Sequence, residues 1–251
     1  NTPVRSFNDV REVISGNFFP GDTVTLTVLS RSGEELTIDT VLYPFPSSSS
    51  TLYLVIPSIL SIIFLIVSLW IFGLRRNESA GRAFSLFTSS LAIITGAYFN
   101  LATTHEFTAI WVLGCGVAGG SLIALALTFP QESRTVINYP YLRWIGILVG
   151  LVLAAISFPN LFNFEDPTAY IGNWQVIYGF IAFGVLFYIS SNLYYAMYAQ
   201  SPVVKTQSRA ILFGTLFSFA PVGVWLIWAT FTSLNFSPYL FLFMAIFPIV
   251  I

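Results

Sequence analysis

The chain has 251 residues, of which 56% are hydrophobic and 8% are charged, and its mean hydropathy is +0.80. Soluble domains carry roughly 25% charged residues, so this composition excludes a wholly soluble protein and indicates an integral membrane protein. The net charge of −1 argues against nucleic acid as a partner, and the single cysteine, Cys115, excludes an intrachain disulfide.

The polar part of the chain, residues 1–46, predicts a helix followed by a β-hairpin. The predicted features are, in order, a capping box at residues 6–9, a turn at 20–22, a half-buried strand at 24–28, a second turn at 30–33 and a return strand at 36–38. One helix and one hairpin rarely close a stable core alone. We therefore expect further sequence upstream to complete this domain.

Seven apolar stretches follow a short linker at residues 47–51. Six have the length of about 20 residues that a membrane crossing needs: 52–74, 83–102, 108–130, 144–163, 174–198 and 210–232. The seventh, 239–251, would cover only about 20 Å of a roughly 30 Å hydrocarbon core. The sequence therefore predicts an all-α polytopic bundle over residues 52–251, with its last helix truncated, in a chain that is a fragment of a longer protein.

Basic residues occupy alternate loops of this predicted bundle. One set of loops holds Arg75, Arg76, Arg82, Arg134, Arg143, Lys205 and Arg209, and the loops between them hold neither Arg nor Lys. The positive-inside rule places the basic loops in the cytoplasm and the hairpin outside it. The seventh helix then heads towards the cytoplasm.

The remaining motifs give no catalytic or metal-binding site in this sequence. The segment HEFTA begins like a zinc-protease motif, but Ala109 stands where the second histidine is required. The segment GGS at residues 119–121 would suit a serine nucleophile, but no predicted span contains a histidine to act as its base. Gly116 and Gly120 are small residues four positions apart, as are Gly146 and Gly150, and this spacing favours close helix packing.

A transporter is an alternative to any signalling function for such a bundle. Transporters commonly hold ionisable groups at membrane depth, and no charged residue lies well inside a predicted span. The strongest polar groups there are Asn192 and, near the end of a span, Asn100. The pattern argues against ion coupling and leaves passage of a neutral solute open. Trp144 and Trp174, near span ends, are predicted to be interface anchors.

The segment DVREVISGNFFPGDTVTLTVLSRSGEELTIDTVLYP, residues 9–44, resembles the second half of a PDZ domain. The resemblance implies the groove helix, the Pro-Gly-Asp turn and the last two strands of that fold. The carboxylate-binding loop of the family would lie upstream, so no residue here is assigned to peptide binding. Residues 1–46 are thus predicted to be a partial, extracytoplasmic α+β domain, used for peptide recognition or as a spacer.

The membrane part resembles the multi-helix N-terminal sensor region of bacterial histidine kinases, including the competence-type quorum-sensing kinases. The resemblance is carried by LALTFPQESRTVINYPYLRW, KTQSRAILFGTLFSFAP and FLFMAIFPIVI, in that order. It implies a multi-pass protein of the bacterial cell membrane, and it leaves the oligomeric state open, with a homodimer as one candidate. It also implies an anchor helix before Asn1 and a cytoplasmic output domain after Ile251. We expect this output domain to be a histidine kinase that binds ATP, with another signalling domain as the alternative; this part of the chain would need no cofactor.

The candidate ligand-binding residues are the titratable side chains of the outward loops. His105 and Glu106 lie between the second and third predicted spans, and Glu165 and Asp166 lie between the fourth and fifth. This acidic rim would suit a cationic or pH-dependent signal, and the signal itself would be an extracytoplasmic peptide or small molecule. The simpler alternative is that these are solvated loop residues.

Overall fold

The computed structural model describes residues 13–14, 17–29, 34–161, 167–232 and 237–247. The chain divides into two compact units, Asn1–Thr51 and Leu52–Ile251. The described part of the first unit is dominated by a two-stranded sheet, and the described part of the second is helical. The predicted capping box, the turn at residues 30–33, Glu165 and Asp166 lie outside the described residues.

The sheet is an antiparallel hairpin of β1 (Thr23–Leu29) and β2 (Glu35–Val41), as the sequence predicts. The turn before it is also present: the Gly21 amide donates to the Leu42 carbonyl at 2.7 Å, and the Leu42 amide donates to the Asp22 carbonyl at 2.9 Å. Gly21 has a φ of +104°, a conformation that is open to glycine and strained for other residues. Glycine therefore fixes the entry into β1.

One face of the hairpin carries apolar side chains that stay exposed. The register places Leu26 opposite Ile38 and Val28 opposite Leu36, so the four side chains share a face. Leu26 is 42% exposed and Leu36 is 58% exposed, whereas Val24 is 8% exposed. The prediction of a half-buried strand is therefore wrong for Leu26 and Val28. The physical reason is that a two-stranded sheet has no second layer of its own to cover this face.

Helices make up nearly all of the described second unit, and one short helix lies at the end of the first unit. The described helices are α1 (Ser47–Ser50), α2 (Ile56–Arg75), α3 (Ser79–Gly96), α4 (Tyr98–Ala102), α5 (Thr108–Thr128), α6 (Arg134–Asn138), α7 (Leu142–Leu161), α8 (Pro167–Tyr198), α9 (Pro202–Phe231) and α10 (Leu240–Met244). A π-helical segment, Thr51–Val55, joins α1 to α2. The residues predicted as a linker are thus largely helical.

Five helical segments are long and apolar enough to cross a membrane. They are Thr51–Arg75, Thr108–Thr128, Leu142–Leu161, Ala169–Tyr198 and Pro202–Phe231. The second predicted span is divided at Ala97 into α3 and the short α4, and α3 begins with polar residues that include Arg82. The described part of the seventh holds the five-residue α10. The chain is therefore a helical, membrane-associated protein with five candidate spans.

The α8 and α9 helices are longer than the apolar stretches that predict them. The structure begins α9 at Pro202, eight residues before the predicted span, so Lys205 and Arg209 lie within its first turns. It begins α8 at Pro167, seven residues before the predicted span. Hydropathy marks where a helix becomes apolar, whereas the backbone hydrogen bonds continue into the polar flanks.

Serine side chains join α2 to α3. The Ser61 hydroxyl donates to the Ala92 carbonyl at 2.7 Å, and the Ser68 hydroxyl donates to the Ser85 carbonyl at 2.8 Å. Ser68 also contacts the Ser89 hydroxyl at 3.2 Å. The order of these pairs shows that the two helices run in opposite directions, and small hydroxyl side chains allow the close approach.

Glycines join α5 to α7. A Cβ atom added to Gly120 would lie 2.5 Å from the carbonyl oxygen of Gly146, and one added to Gly116 would clash with the carbonyl oxygen of Gly150. The prediction that these four glycines are packing positions is confirmed. The structure adds that the two pairs face each other, with α5 and α7 antiparallel, so the backbones touch where side chains would otherwise stand.

The α8 helix runs parallel to α5 and antiparallel to α9. A Cβ on Gly184 of α8 would lie 2.7 Å from the Gly119 carbonyl oxygen of α5. About two helical turns further along α8, the Ser191 hydroxyl donates to the Ala126 carbonyl at 2.7 Å. Against α9, a Cβ on Gly223 would lie 3.3 Å from Val185. The central helix is α5, which packs against α3, α7 and α8.

These directions give the bundle two ends, which we name by their residues. The arginine face holds the end of α2 at Arg75, the start of α3 at Ser79, the end of α5 at Thr128, the start of α7 at Leu142 and the start of α9 at Pro202. The His105 face holds the opposite ends of the same helices, including the loop from α4 to α5. All seven basic residues of the bundle belong to the arginine face.

Candidate functional site

An apolar cavity of about 50 Å³ lies in the core of the helical unit. Its wall comes from α3, α5, α8, α9 and α10, and it includes Trp111, Cys115, Tyr178, Phe219 and Phe241. Among its fifteen lining residues there is no Asp, Glu, Lys, Arg or His. The cavity is large enough for one or two water-sized groups and smaller than the roughly 150 Å³ cavity that holds benzene.

An aromatic cluster closes the cavity towards the His105 face. The Trp111 and Trp174 rings lie 5.1 Å apart, Trp174 and Tyr178 stack at 5.6 Å, and Tyr178 meets Trp225 at 5.1 Å. The Trp111 indole N–H donates to the Ile94 carbonyl at 3.0 Å, so its polar atom is satisfied although the side chain is 2% exposed. These rings tie α5, α8 and α9 together.

Trp174 differs from its prediction as an interface anchor. It is half-buried, and its ring contacts Tyr170, Trp111 and Tyr178 in the cluster. Trp144 is 47% exposed at the arginine face, which suits an anchor. A position near the end of a span does not show whether a tryptophan lies on the inner or the outer side of its helix. Only a tryptophan on the outer side can act as an interface anchor, whereas one on the inner side packs in the core.

Buried polar side chains lie between the cavity and the arginine face. The Tyr188 hydroxyl lies near the side chains of Asn192 and Thr215, and Tyr188 is 2% exposed. The Asn192 amide nitrogen donates to the Tyr188 carbonyl at 2.9 Å, and the Asn192 side chain is 0% exposed. This group joins the middle of α8 to α9 without a charged residue.

The inward face of α9 changes from polar to apolar along its length. Ser208, Thr215 and Ser218 are at most 2% exposed, and Phe219 and Val222 continue the same buried face into the cavity wall. The hydroxyls of these three polar residues have no hydrogen-bond partner among the described residues, and neither has the Asn192 Oδ1 atom. Such orphan groups cost free energy unless water or a ligand supplies a partner.

The loop at the His105 face holds the two described members of the predicted site. Asn100 organises this loop: its side-chain oxygen accepts from the Phe107 amide at 2.6 Å, and its carbonyl accepts from the His105 amide at 2.8 Å. Its side-chain amide also donates to the Thr104 hydroxyl. The polar Asn100 that the sequence singles out therefore shapes the loop.

His105 and Glu106 are adjacent on this loop, and both are exposed. His105 has a φ of +56°, so the loop holds it in the left-handed region. Burial of part of the ring lowers the pKa of His105 below its usual 6.5. The imidazole is therefore mostly neutral at pH 7. The structure does not test whether Glu165 and Asp166 join it, because they lie outside the described residues.

Two side chains that could act as nucleophiles, those of Ser121 and Cys115, lie in the described part of the bundle. Ser121 of the GGS segment is 0% exposed, and its hydroxyl has no hydrogen bond from the described residues. Cys115 is 1% exposed and lines the apolar cavity. Within the described ranges, no three side chains of His, Cys, Asp or Glu approach one another as metal ligands would.

The sequence misses the cavity and the polar group beside it. Asn192 is visible as a polar residue inside a span, but Tyr188, Thr215 and Ser218 have no unusual spacing. Only the side-by-side packing of α8 and α9 brings them together. A buried asparagine in an apolar span is the signal that leads to this region.

Comparison with family models, with curated proteins and with solved structures gives no significant match to this chain.

Proposed function

We propose that this chain is the membrane-embedded sensing region of a bacterial sensor histidine kinase. In this proposal the chain crosses the cell membrane seven times, with the arginine face in the cytoplasm and a PDZ-like domain outside. It passes an extracytoplasmic peptide or small-molecule signal to an ATP-dependent kinase domain, in a homodimer. The support from sequence is the order of the resembling segments and the confinement of seven basic residues to one face.

The observation that carries the proposal is the central cavity. Five helices contribute to its wall, so a group that enters it, or a shift of one helix, changes the packing of all five. Packed cores respond to such changes by switching between discrete arrangements. A signal at this site would therefore reach the ends of the helices at the arginine face.

The composition of the site favours sensing over ion-coupled transport. The cavity wall has no charged residue, and the polar side chains beside it, Tyr188, Asn192 and Thr215, are neutral at pH 7. Coupling to protons or metal ions usually requires ionisable groups at membrane depth. The cavity of about 50 Å³ is also smaller than a typical solute needs.

Passage of a neutral polar solute is the alternative function. It is favoured by the orphan polar atoms of Asn192, Thr215 and Ser218, which would hydrogen-bond such a solute on its way through. This alternative requires the α8–α9 contact to open into a path. Uptake by reconstituted vesicles would then occur without a kinase.

The gene sequence downstream of the codon for Ile251 tests the kinase proposal directly. We expect a helical segment with a phosphorylatable histidine, followed by an ATP-binding domain. Autophosphorylation of the full-length protein with labelled ATP should then follow. A stop codon shortly after the tenth helix would contradict the proposal and favour the transporter.

Filling the cavity tests whether it takes part in sensing. Ala118 lines the cavity and is 2% exposed, so Ala118→Val in the full-length protein should occupy its space. We expect the kinase response to cell-free medium from a dense culture to fall about fivefold or more, the scale of a coupling free energy of 1 kcal/mol or above.

Ala155→Val is the matched control, because Ala155 lies on the exposed side of α7. It adds the same two carbons to a spanning helix without entering the core. A normal response from both variants would remove the cavity from the mechanism. An equal loss from both would point to a general effect of valine on the helices.

A further inference from the structure

Two arginines from different helices line one crevice at the arginine face. Arg82, in the first turn of α3, and Arg143, at the start of α7, share this basic crevice with Ser79, Thr128, Trp144 and Ile147. Its enclosed part is about 10 Å³, room for roughly one water molecule. A larger group would therefore sit at the mouth, in reach of the two guanidinium groups.

Each guanidinium is positioned by a backbone carbonyl and forms no ion pair with a carboxylate of the described residues. Arg82 Nη1 donates to the Arg76 carbonyl at 2.9 Å, and Arg143 Nε donates to the Pro140 carbonyl at 2.8 Å. Both side chains are half-buried. In the described ranges the ion pair at this end is Arg75 with Glu78, at 3.0 Å, and neither crevice arginine has an acid within 4.0 Å.

The arrangement suits an anion with several oxygen acceptors. A guanidinium has five N–H donors in a fixed fork, and each of these two uses one of them on a carbonyl of its own neighbourhood. Two forks that converge on one opening can grip the oxygens of a phosphate from both sides.

We propose that the basic crevice binds the phosphate of an anionic membrane lipid. The crevice lies where the apolar helices end, which is the depth of lipid headgroups, and Trp144 is 47% exposed there as interface tryptophans are. Ile147, one helical turn further into the membrane, provides an apolar wall for an acyl chain. Basic pockets between membrane helices hold anionic headgroups in this way. This proposal goes beyond the sensing function and requires only that the bundle lies in a bilayer.

Glu132 gives the proposal an internal check. The Ser79 hydroxyl donates to the Glu132 Oε1 atom, so a carboxylate lies at the edge of the crevice. Its negative charge opposes a phosphate there. Glu132→Gln keeps the shape of the side chain and removes that charge, so it should strengthen lipid binding by about threefold.

Native mass spectrometry of the purified protein, with phosphatidylglycerol or phosphatidylcholine added to the detergent, tests the proposal. We expect the wild type to retain phosphatidylglycerol in preference to phosphatidylcholine. The double variant Arg82→Gln/Arg143→Gln should bind phosphatidylglycerol about tenfold more weakly. The control Arg75→Gln/Arg76→Gln removes the same charge from the same face outside the crevice, and it should weaken binding by less than about threefold.

The outcomes separate the crevice from its alternatives. An equal loss in both double variants would show general attraction of the arginine face for acidic lipid and would overturn the site. Tight binding of inorganic phosphate, measured by calorimetry and sufficient to displace phosphatidylglycerol, would overturn the lipid assignment in favour of free phosphate. Circular dichroism checks that the variants fold, and the gain expected for Glu132→Gln cannot come from lost folding. Absence of that gain would contradict the proposed contact.

Discussion

Leu26, Val28 and Leu36 of the hairpin are 42% to 58% exposed, whereas Phe64, Phe87 and Trp111 of the helical unit are at most 2% exposed. The helical unit also exposes large apolar side chains, but these lie on the outer sides of helices that are long and apolar enough to span a bilayer. Lipid chains can cover them. The hairpin belongs to the polar part of the chain, so only other protein segments can bury its apolar face.

The difference shows that the two regions depend on different interactions. The hairpin is held by its ladder and by cross-strand pairs such as the Thr25 hydroxyl with Asp39 at 2.7 Å, all of them near water. In the helical unit, folding moves apolar surface from contact with lipid into contact with protein, and both surroundings are apolar. Stability therefore depends on tight packing and on the small residues that allow it. Core substitutions should therefore be costly in the bundle and mild in the hairpin.

The largest expected effect follows truncation of Phe87. Its ring meets Phe219 at 5.6 Å and Phe247 at 5.5 Å, and it lines the central cavity. Phe87→Ala should lower the free energy of unfolding by about 3 kcal/mol, because these contacts are lost and the cavity grows. Denaturant titration in mixed micelles, followed by tryptophan fluorescence, measures this. All six tryptophans lie in the helical unit, so the signal reports on it alone.

Leu36→Ala is the matched truncation in the hairpin, where the side chain is 58% exposed. It should leave the tryptophan-detected transition unchanged and alter amide exchange in β1 and β2 by less than about 1 kcal/mol. A cost near that of Phe87→Ala would mean that the apolar face of the hairpin is covered in the folded protein. The comparison between the regions would then fail.

A smaller effect should come from a single methyl group at the α5–α7 contact. A Cβ on Gly150 would clash with the Gly116 carbonyl oxygen, which is backbone and cannot rotate away. Gly150→Ala should therefore destabilise the bundle by about 1–3 kcal/mol. The same titration measures it.

Gly73→Ala provides the control for helix propensity, because nothing lies within 4 Å of a Cβ at Gly73 in α2. It should stabilise the protein by up to about 1 kcal/mol, since alanine is the better helix former. If the two variants behave alike, the close approach of α5 and α7 contributes little. Opposite signs would show that glycine at position 150 is required by packing.

The sequence predicts the parts of this fold that depend on local pattern. Alternating apolar residues predict β1, the Pro-Gly-Asp pattern predicts its turn, and glycines at a spacing of four predict helix contacts. It does not predict that Gly116 faces Gly150, because the tertiary structure determines which helices pack together. Nor does it predict the break of the second span at Ala97, where one helix ends and the next begins without a proline.

The candidate sites also divide into residues that the sequence points to and contacts that only the tertiary structure shows. His105 and Glu106 are found by elimination, because titratable residues are rare in such a chain. Asn192 is noticeable because an apolar span surrounds it. The cavity, the Tyr188 contacts and the pairing of Arg82 with Arg143 join residues on different helices. These residues are far apart in the chain, the two arginines by 61 residues, so no local sequence pattern predicts that they lie together.

The smallest expected effect is the pH response of His105. The structure lowers its pKa below 6.5 because burial of part of the ring disfavours the charged form. The unfolded chain therefore binds more protons than the folded chain between the lowered pKa and 6.5. The contribution to stability is fully present above pH 6.5, declines as the pH falls and is lost below the folded pKa.

Because His105 is the chain's single histidine, its imidazole signal in an NMR titration of untagged protein in micelles is unambiguous. We expect a midpoint below 6.5. His105→Asn is the control for stability, since asparagine tolerates the φ of +56° and does not titrate. The wild type should lose stability relative to this variant as the pH falls from 7 to 5. A midpoint above 6.5 would mean that an acidic neighbour governs the imidazole more than burial does. Glu106 is then the first residue to replace, and Glu106→Gln should return the midpoint below 6.5 if it is that neighbour.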